Sequence, residues 1–144
     1  MTIEEILSEW KNDAVVDRLE LGEAASSVSS LHAKYLSLLF KERSKHLKIT
    51  KDLSAMKKLR WEYWNGMLSM EEIREFGWEP QSLKLLKQDI PMYLESDPIL
   101  SDIQLRASIQ QEKIKVLESI LQHLGQRGYN LTSAINWEKL KGGL

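Results

Sequence analysis

Apolar residues return at alternating intervals of three and four along most of this chain, the spacing of an amphipathic helix. Val28, Leu31, Tyr35, Leu38, Ile49, Met56, Leu59 and Tyr63 trace one seam, with Glu42, Lys45 and Asp52 standing where the repeat asks for apolar residues. No Pro or Gly interrupts residues 23 to 65, and Leu, Lys, Arg, Met and Glu are good helix formers, so the pattern predicts one central helix, roughly 60 Å long at ~1.5 Å per residue. A rod of that length cannot bury itself in a globule of 144 residues. Partner helices are expected, including helices from other subunits.

The flanking pattern predicts shorter elements. Thr2 with Glu5 forms a capping box ahead of Ile3, Ile6, Leu7 and Trp10, giving a short acidic lead-in helix. Gly66 closes the central helix after Trp64 and Asn65, and Ser69 with Glu72 starts a second short helix that runs through Phe76 to Gly77. Pro80, Pro91 and Pro98 break up residues 77 to 98. There Leu83, Leu85 and Leu86 suggest a helical turn or two, and Ile90 to Leu94 an extended segment. A long C-terminal helix is predicted from Pro98 to a stop at Gly125 or Gly128, followed by a final short helix, capped by Asn130 or Thr132, that folds back on it. That long helix carries two apolar stripes. Ile103, Ala107, Ile114, Leu117, Leu121 and Leu124 form one, and Ile99, Ile109, Val116 and Ile120 a second, rotated away from it. Two stripes in so small a chain imply a second packing partner, read here as another copy of the chain.

Charge changes this picture from a plain helical bundle to one with a polarised surface. The chain has a net charge of -1, yet Lys34 to Arg60 holds nine Lys or Arg (Lys34, Lys41, Arg43, Lys45, Lys48, Lys51, Lys57, Lys58, Arg60) against Glu42 and Asp52, or +9 - 2 = +7. A local field of that sign attracts polyanions. Trp61, Tyr63 and Trp64 follow the cations directly, and ammonium groups beside stacking rings are the two components of single-strand binding. Residues 1 to 25 are the opposite, with seven acids against Lys11 and Arg18. They are either a solvated face or a surface that meets a basic one.

Composition limits the remaining classes. With 42% hydrophobic residues, one all-helical domain is expected over residues 1 to 144. Its parts are a lead-in and basic long helix (1 to 66), an irregular connector (67 to 97) and C-terminal oligomerisation helices (98 to 144). There is no cysteine, hence no disulfide or thiolate metal site. The acidic start and the lack of an apolar run approaching ~18 residues predict a soluble, cytoplasmic protein without a membrane partner. His32, His46 and His123 are scattered, no Gly-rich phosphate loop precedes a Lys-Ser or Lys-Thr pair, and no nucleophile elbow or catalytic carboxylate pair appears. Neither an enzyme, nor a metal site, nor a cofactor is expected.

The segments Glu5-Ile6-Leu7 to Asp17, Leu31 to Leu36 and, above all, Lys58-Leu59-Arg60-Trp61-Glu62-Tyr63-Trp64-Asn65-Gly66 carry a resemblance, as do Ile120 to Leu124 and Gln126-Arg127-Gly128-Tyr129. On these the chain resembles the UvsY family, recombination mediators of T-even-type bacteriophages, along nearly its full length. Met67 to Ser96 departs from the family pattern, which is richer in Gly and Asp after the aromatic pair. The resemblance implies sequence-indifferent binding of single-stranded DNA and ring-like hexamers or heptamers built through C-terminal helices. It also implies a role in helping a RecA-like recombinase replace single-strand-binding protein, in the cytoplasm of an infected host. By motif, Lys58 and Arg60 are the expected phosphate contacts with Lys57 beside them, while Lys48, Lys51, Trp61 and Trp64 join on physical grounds. Ile109, Ile114, Val116, Leu117, Ile120, Leu121 and Leu124 are the expected oligomerisation residues. The competing class is a non-enzymatic helical scaffold whose lysines merely keep a coiled-coil arm solvated.

Overall fold

The computed structural model describes residues 1 to 143, and they form five helices without a strand. In order these are α1 (Ile3–Asp13), α2 (Leu21–Trp64), α3 (Met70–Glu75), α4 (Ile90–Glu95) and α5 (Pro98–Lys141). The all-α expectation holds, with a long central and a long C-terminal helix of 44 residues each. No helix among the described residues is long and apolar enough to cross a membrane. The chain divides into two compact units, Met1–Ser44 with the chain from Gln110 onward, and Lys45–Ile109. Both long helices contribute residues to each unit.

In the first unit, α1 starts as its sequence dictates. Thr2 Oγ1 accepts from the Glu5 N–H at 3.1 Å and the Glu5 carboxylate accepts from the Thr2 N–H at 2.8 Å, closing the capping box. Its apolar face buries Ile6 in a core with Tyr35 and Leu39 of α2 and Ile114, Leu117, Ile120 and Leu124 of α5. Trp10 packs edge-on to both Tyr35 and His123 at 5.6 and 5.4 Å between centroids. The acids of α1 are used inside the unit. Lys34 Nζ lies 2.8 Å from Glu9 and 2.7 Å from Asp13, and the Tyr35 hydroxyl also donates to Asp13 at 2.7 Å. Burial opposes ionisation of Asp13, but the bonds from Lys34 and Tyr35 outweigh it and hold the carboxyl below its ordinary range.

The apparent break in the α2 seam is a buried polar layer. Glu42 is 1% exposed, and its carboxylate accepts from the Gln110 amide, which also reaches the Glu42 carbonyl at 2.8 Å, while Lys113 stands 4.0 Å away. A carboxylate in the seam therefore fits because α5 presents a donor to it.

Two expectations for α5 are overturned. The helix does not stop at Gly125 or Gly128 but runs on to Lys141, so there is no separate helix folding back. Glycine ends a helix by turning left-handed, and the positive-φ glycines of this chain are Gly66, Gly77 and Gly143. Leu124, Arg127 and Leu131 stay buried through the same turns, with Arg127 donating to the carbonyls of Asp13 at 2.9 Å and Val15 at 3.5 Å. Thr132 is no cap either, since its hydroxyl donates back to the Gly128 carbonyl at 3.0 Å.

In the second unit the connector is inverted relative to the reading of its sequence. Residues 78 to 86, with Leu83, Leu85 and Leu86, have no regular secondary structure, whereas Ile90 to Leu94 is helical. Pro91 falls in the first turn of α4, where a missing N–H breaks no bond. Upstream, the backbone is tethered to the end of α2: Tyr63 Oη donates to the Glu79 carbonyl at 2.6 Å and Gln81 to the Trp64 carbonyl at 3.3 Å. The short α3 forms as predicted, with Ser69 accepting from the Glu72 N–H at 3.2 Å and Gly77 turning out at φ 71.

Candidate nucleic-acid interface

The cationic part of α2 in the second unit divides sharply between a buried and an outward face. Successive residues of a helix turn by about 100°. Leu47, Lys51, Ser54, Lys58 and Trp61 follow one another at intervals of four, three, four and three, so they lie along one ridge, and all five are exposed. The Lys58 side chain is 80% exposed and reaches the Glu62 carboxylate only at 4.0 Å. Trp61 is 46% exposed. Lys48 and Lys57 are exposed as well, but nine residues place them on opposite flanks of the ridge. Lys41, Lys48, Lys51 and Lys57 make no ion pair among the described residues.

The structure separates two predicted contacts from this group. Arg60 is 5% exposed, with its Nε 2.6 Å from Asp97 and its guanidinium over the rings of Tyr63, Trp78 and Trp64 at 4.2, 4.6 and 5.4 Å. Its guanidinium is thus held by a carboxylate and enclosed by three rings inside the unit, unlike the outward lysines of the ridge. Trp64 is partly buried, its indole N–H donating to the same Asp97 oxygen at 2.8 Å and its ring tilted against Tyr93 at 5.1 Å. These two side chains hold the ridge up from behind. Lys34 and Arg43 are likewise engaged within the first unit, with Glu9 and Asp13 and with Glu118.

Asp97 is the residue that the sequence reading passed over except as the neighbour of Pro98. It is fully buried, and its Oδ1 accepts from the N–H groups of Ile99 at 2.9 Å and Leu100 at 3.2 Å, capping α5. Burial raises its pKa, but the bonds from Arg60, Trp64 and the Leu100 N–H prevail and keep the carboxyl below the ordinary range. One carboxylate thus joins the start of α5 to the last turns of α2.

The predicted oligomerisation residues are mostly occupied within the protomer. Ile114, Leu117, Ile120 and Leu124 are core residues at 4% exposure or less, and Val116 and Leu121 pack partly buried against them. Ile109 is the exception at 46% exposed, with Leu105 one turn earlier at 59%. Among the described residues no three His, Asp or Glu side chains are grouped to hold a metal ion.

Residues 9 to 144 match the sequence profile of a family described as "Recombination, repair and ssDNA binding protein UvsY". The chain belongs to the UvsY family. Its fold agrees with crystal structures of the recombination mediator protein UvsY of bacteriophage T4. In lattice type II the identity is 17% with a TM-score of 0.85, covering 99% of this chain and 98% of that one. Lattice type IV gives 16% identity, 97% and 99% coverage and a TM-score of 0.84. Lattice type I gives 16%, 95% and 98%, and 0.77. At such identities the likeness speaks for the fold. No curated protein sequence matches the chain. Recombination, repair and single-stranded-DNA binding are the functions by which the UvsY family is described.

Proposed function

We propose that this protein is a non-enzymatic recombination mediator that holds single-stranded DNA on the outward ridge of α2 without reading its sequence. It hands that DNA, covered by single-strand-binding protein, to a RecA-like recombinase in the cytoplasm of an infected host. The observation that carries this reading is the common ridge of Lys51, Lys58 and Trp61, flanked by Lys48 and Lys57. Ammonium groups neutralise phosphate irrespective of base, and an exposed ring stacks on any base. A ring of six or seven protomers belongs to the same reading, because linked sites multiply a weak affinity per subunit. Its apolar contact falls to the exposed Ile109 and Leu105 rather than to the buried Leu117 layer.

The decisive measurement is a titration of fluorescent oligo-dT with the protein over a range of salt concentrations. The four lysines on and beside the ridge are expected to contribute about -2.8 to the slope of log K against log salt. Lys51→Glu with Lys58→Glu weakens binding more than tenfold at unchanged oligomeric size. Binding equal to the unaltered protein would remove the ridge from the proposal, and no salt-dependent binding at all would favour the scaffold reading.

A further inference from the structure

The ridge of α2 ends at Trp61, but the grooves beside it do not. Trp61 lines a groove of about 460 Å³ whose walls also include Lys57, Lys58 and Leu94. Trp61 and Leu94 also wall a groove of about 480 Å³ that continues to Asn65, Ile90 and Lys87. Asn65, Ile90 and Lys87 then wall a third groove, of about 530 Å³, which takes in Lys84 and Gln81. Each groove shares residues with the next, so the three form one track, with Trp61 and Leu94 common to the first two.

The chemistry of this track is that of its α2 end. Lys57 and Lys58 stand at the first groove, Lys87 at the second and third, and Lys84 at the third, while Glu95 is the acid that lines any of the three. Lys84 and Lys87 are exposed and make no ion pair among the described residues. The walls between are apolar (Leu94, Ile90, Pro91), which suits the flat faces of bases, and the cations stand at intervals along the length, which suits a phosphate backbone. Duplex DNA does not suit these walls, since its paired bases face inward and are not free to stack on them.

On the strength of the DNA-binding reading above, we infer that the single strand leaves α2 at Trp61 and crosses the connector, with a base stacked on the exposed Trp61 ring and phosphates on Lys87 and Lys84. The connector between α3 and α5 is thereby part of the binding site. The irregular backbone of residues 78 to 86 keeps the third groove open because it is tethered to α2 through Tyr63 and Gln81 instead of coiling into a helix.

The test uses the full chain, oligo-dT and three variants across a salt series. Lys84→Ala with Lys87→Ala is expected to lower affinity at least fivefold and to flatten the log-log salt slope by about 1.4, the loss of two phosphate contacts. Trp61→Ala lowers affinity at least fivefold and leaves that slope unchanged, because stacking releases no counterions. Arg74→Ala, an exposed cation on α3 outside the grooves, serves as the reference and changes neither. If the unaltered protein binds and the Lys84, Lys87 pair behaves like the Arg74 variant, the path over the connector is wrong while the α2 ridge stands. If the unaltered protein does not bind oligo-dT, both readings fall together.

Discussion

Arg60, expected from its motif at a phosphate, is buried against Asp97 in the protomer. Its neighbours Lys58 and Trp61 point outward, but one step of about 100° along the helix turns Arg60 into the second unit, onto Asp97 and three rings. Nothing in a run of cations says which of them has a carboxylate waiting, because Asp97 lies 37 positions further on. A buried pair that loses one partner typically costs about 3 to 5 kcal/mol, since the other charge is left unsolvated. Asp97→Asn keeps an acceptor for the start of α5 but removes the charge, and a loss of that order is expected in urea unfolding. The pair also carries a pH signature. The Asp97 carboxyl is depressed below its ordinary value of 3.8, so its stabilisation is complete above that value and disappears as the pH falls through the lower folded one. The melting temperature of the unaltered protein should therefore drop more steeply than that of Asp97→Asn between about pH 5 and pH 2. Parallel curves would mean the pair contributes no pH-dependent stability.

At the scale of the helix, periodicity was a good guide to existence and a poor one to ends and partners. The three-and-four repeat located α2 and α5, and the capping residues located α1 and α3, because these signals are local. Gly125 and Gly128 misled because a glycine permits a helix stop without requiring one, and the core contacts of Leu124, Arg127 and Leu131 carry α5 past them. Residues of both α5 stripes, Ile114, Leu117 and Leu124 of the first and Ile120 of the second, are used by the chain's own core with α1 and α2. Leu117 is fully buried among them. Leu117→Ala is accordingly expected to cost about 2 to 5 kcal/mol of unfolding free energy in every assembly state. Leu105→Glu with Ile109→Glu, at exposed positions, should leave the helical circular dichroism intact and shift the sedimentation coefficient to that of a monomer. An unchanged sedimentation coefficient would take these two residues out of the assembly surface.

For the whole molecule, charge segregation along the sequence did not translate directly into a charged surface. Of the nine cations between Lys34 and Arg60, Lys34, Arg43 and Arg60 are neutralised by acids from α1, α5 and the residue before α5. The acidic first segment, read as either a solvated face or a surface that meets a basic one, engages Glu9 and Asp13 with the chain's own Lys34. What survives is narrower than the sequence promised and better defined: a ridge of two lysines and one indole, with a lysine on each flank. Family membership was legible in the stretch from Lys58 to Gly66, whereas the grooves over the connector were not, since they depend on irregular backbone that no periodicity describes.

The buried contact between Glu42 and Gln110 has one more implication. Apolar seams are tolerant of slippage, because a leucine is nearly as content one turn along as in its proper place. A carboxylate is not. Sliding the two long helices past each other by one turn, about 5.4 Å, would part Glu42 from the Gln110 amide, so that contact favours the observed alignment. Glu42→Leu with Gln110→Leu should consequently raise the unfolding midpoint while broadening the amide resonances of α2 as neighbouring alignments become populated. Sharp, singly dispersed resonances in that variant would show that the alignment is set elsewhere.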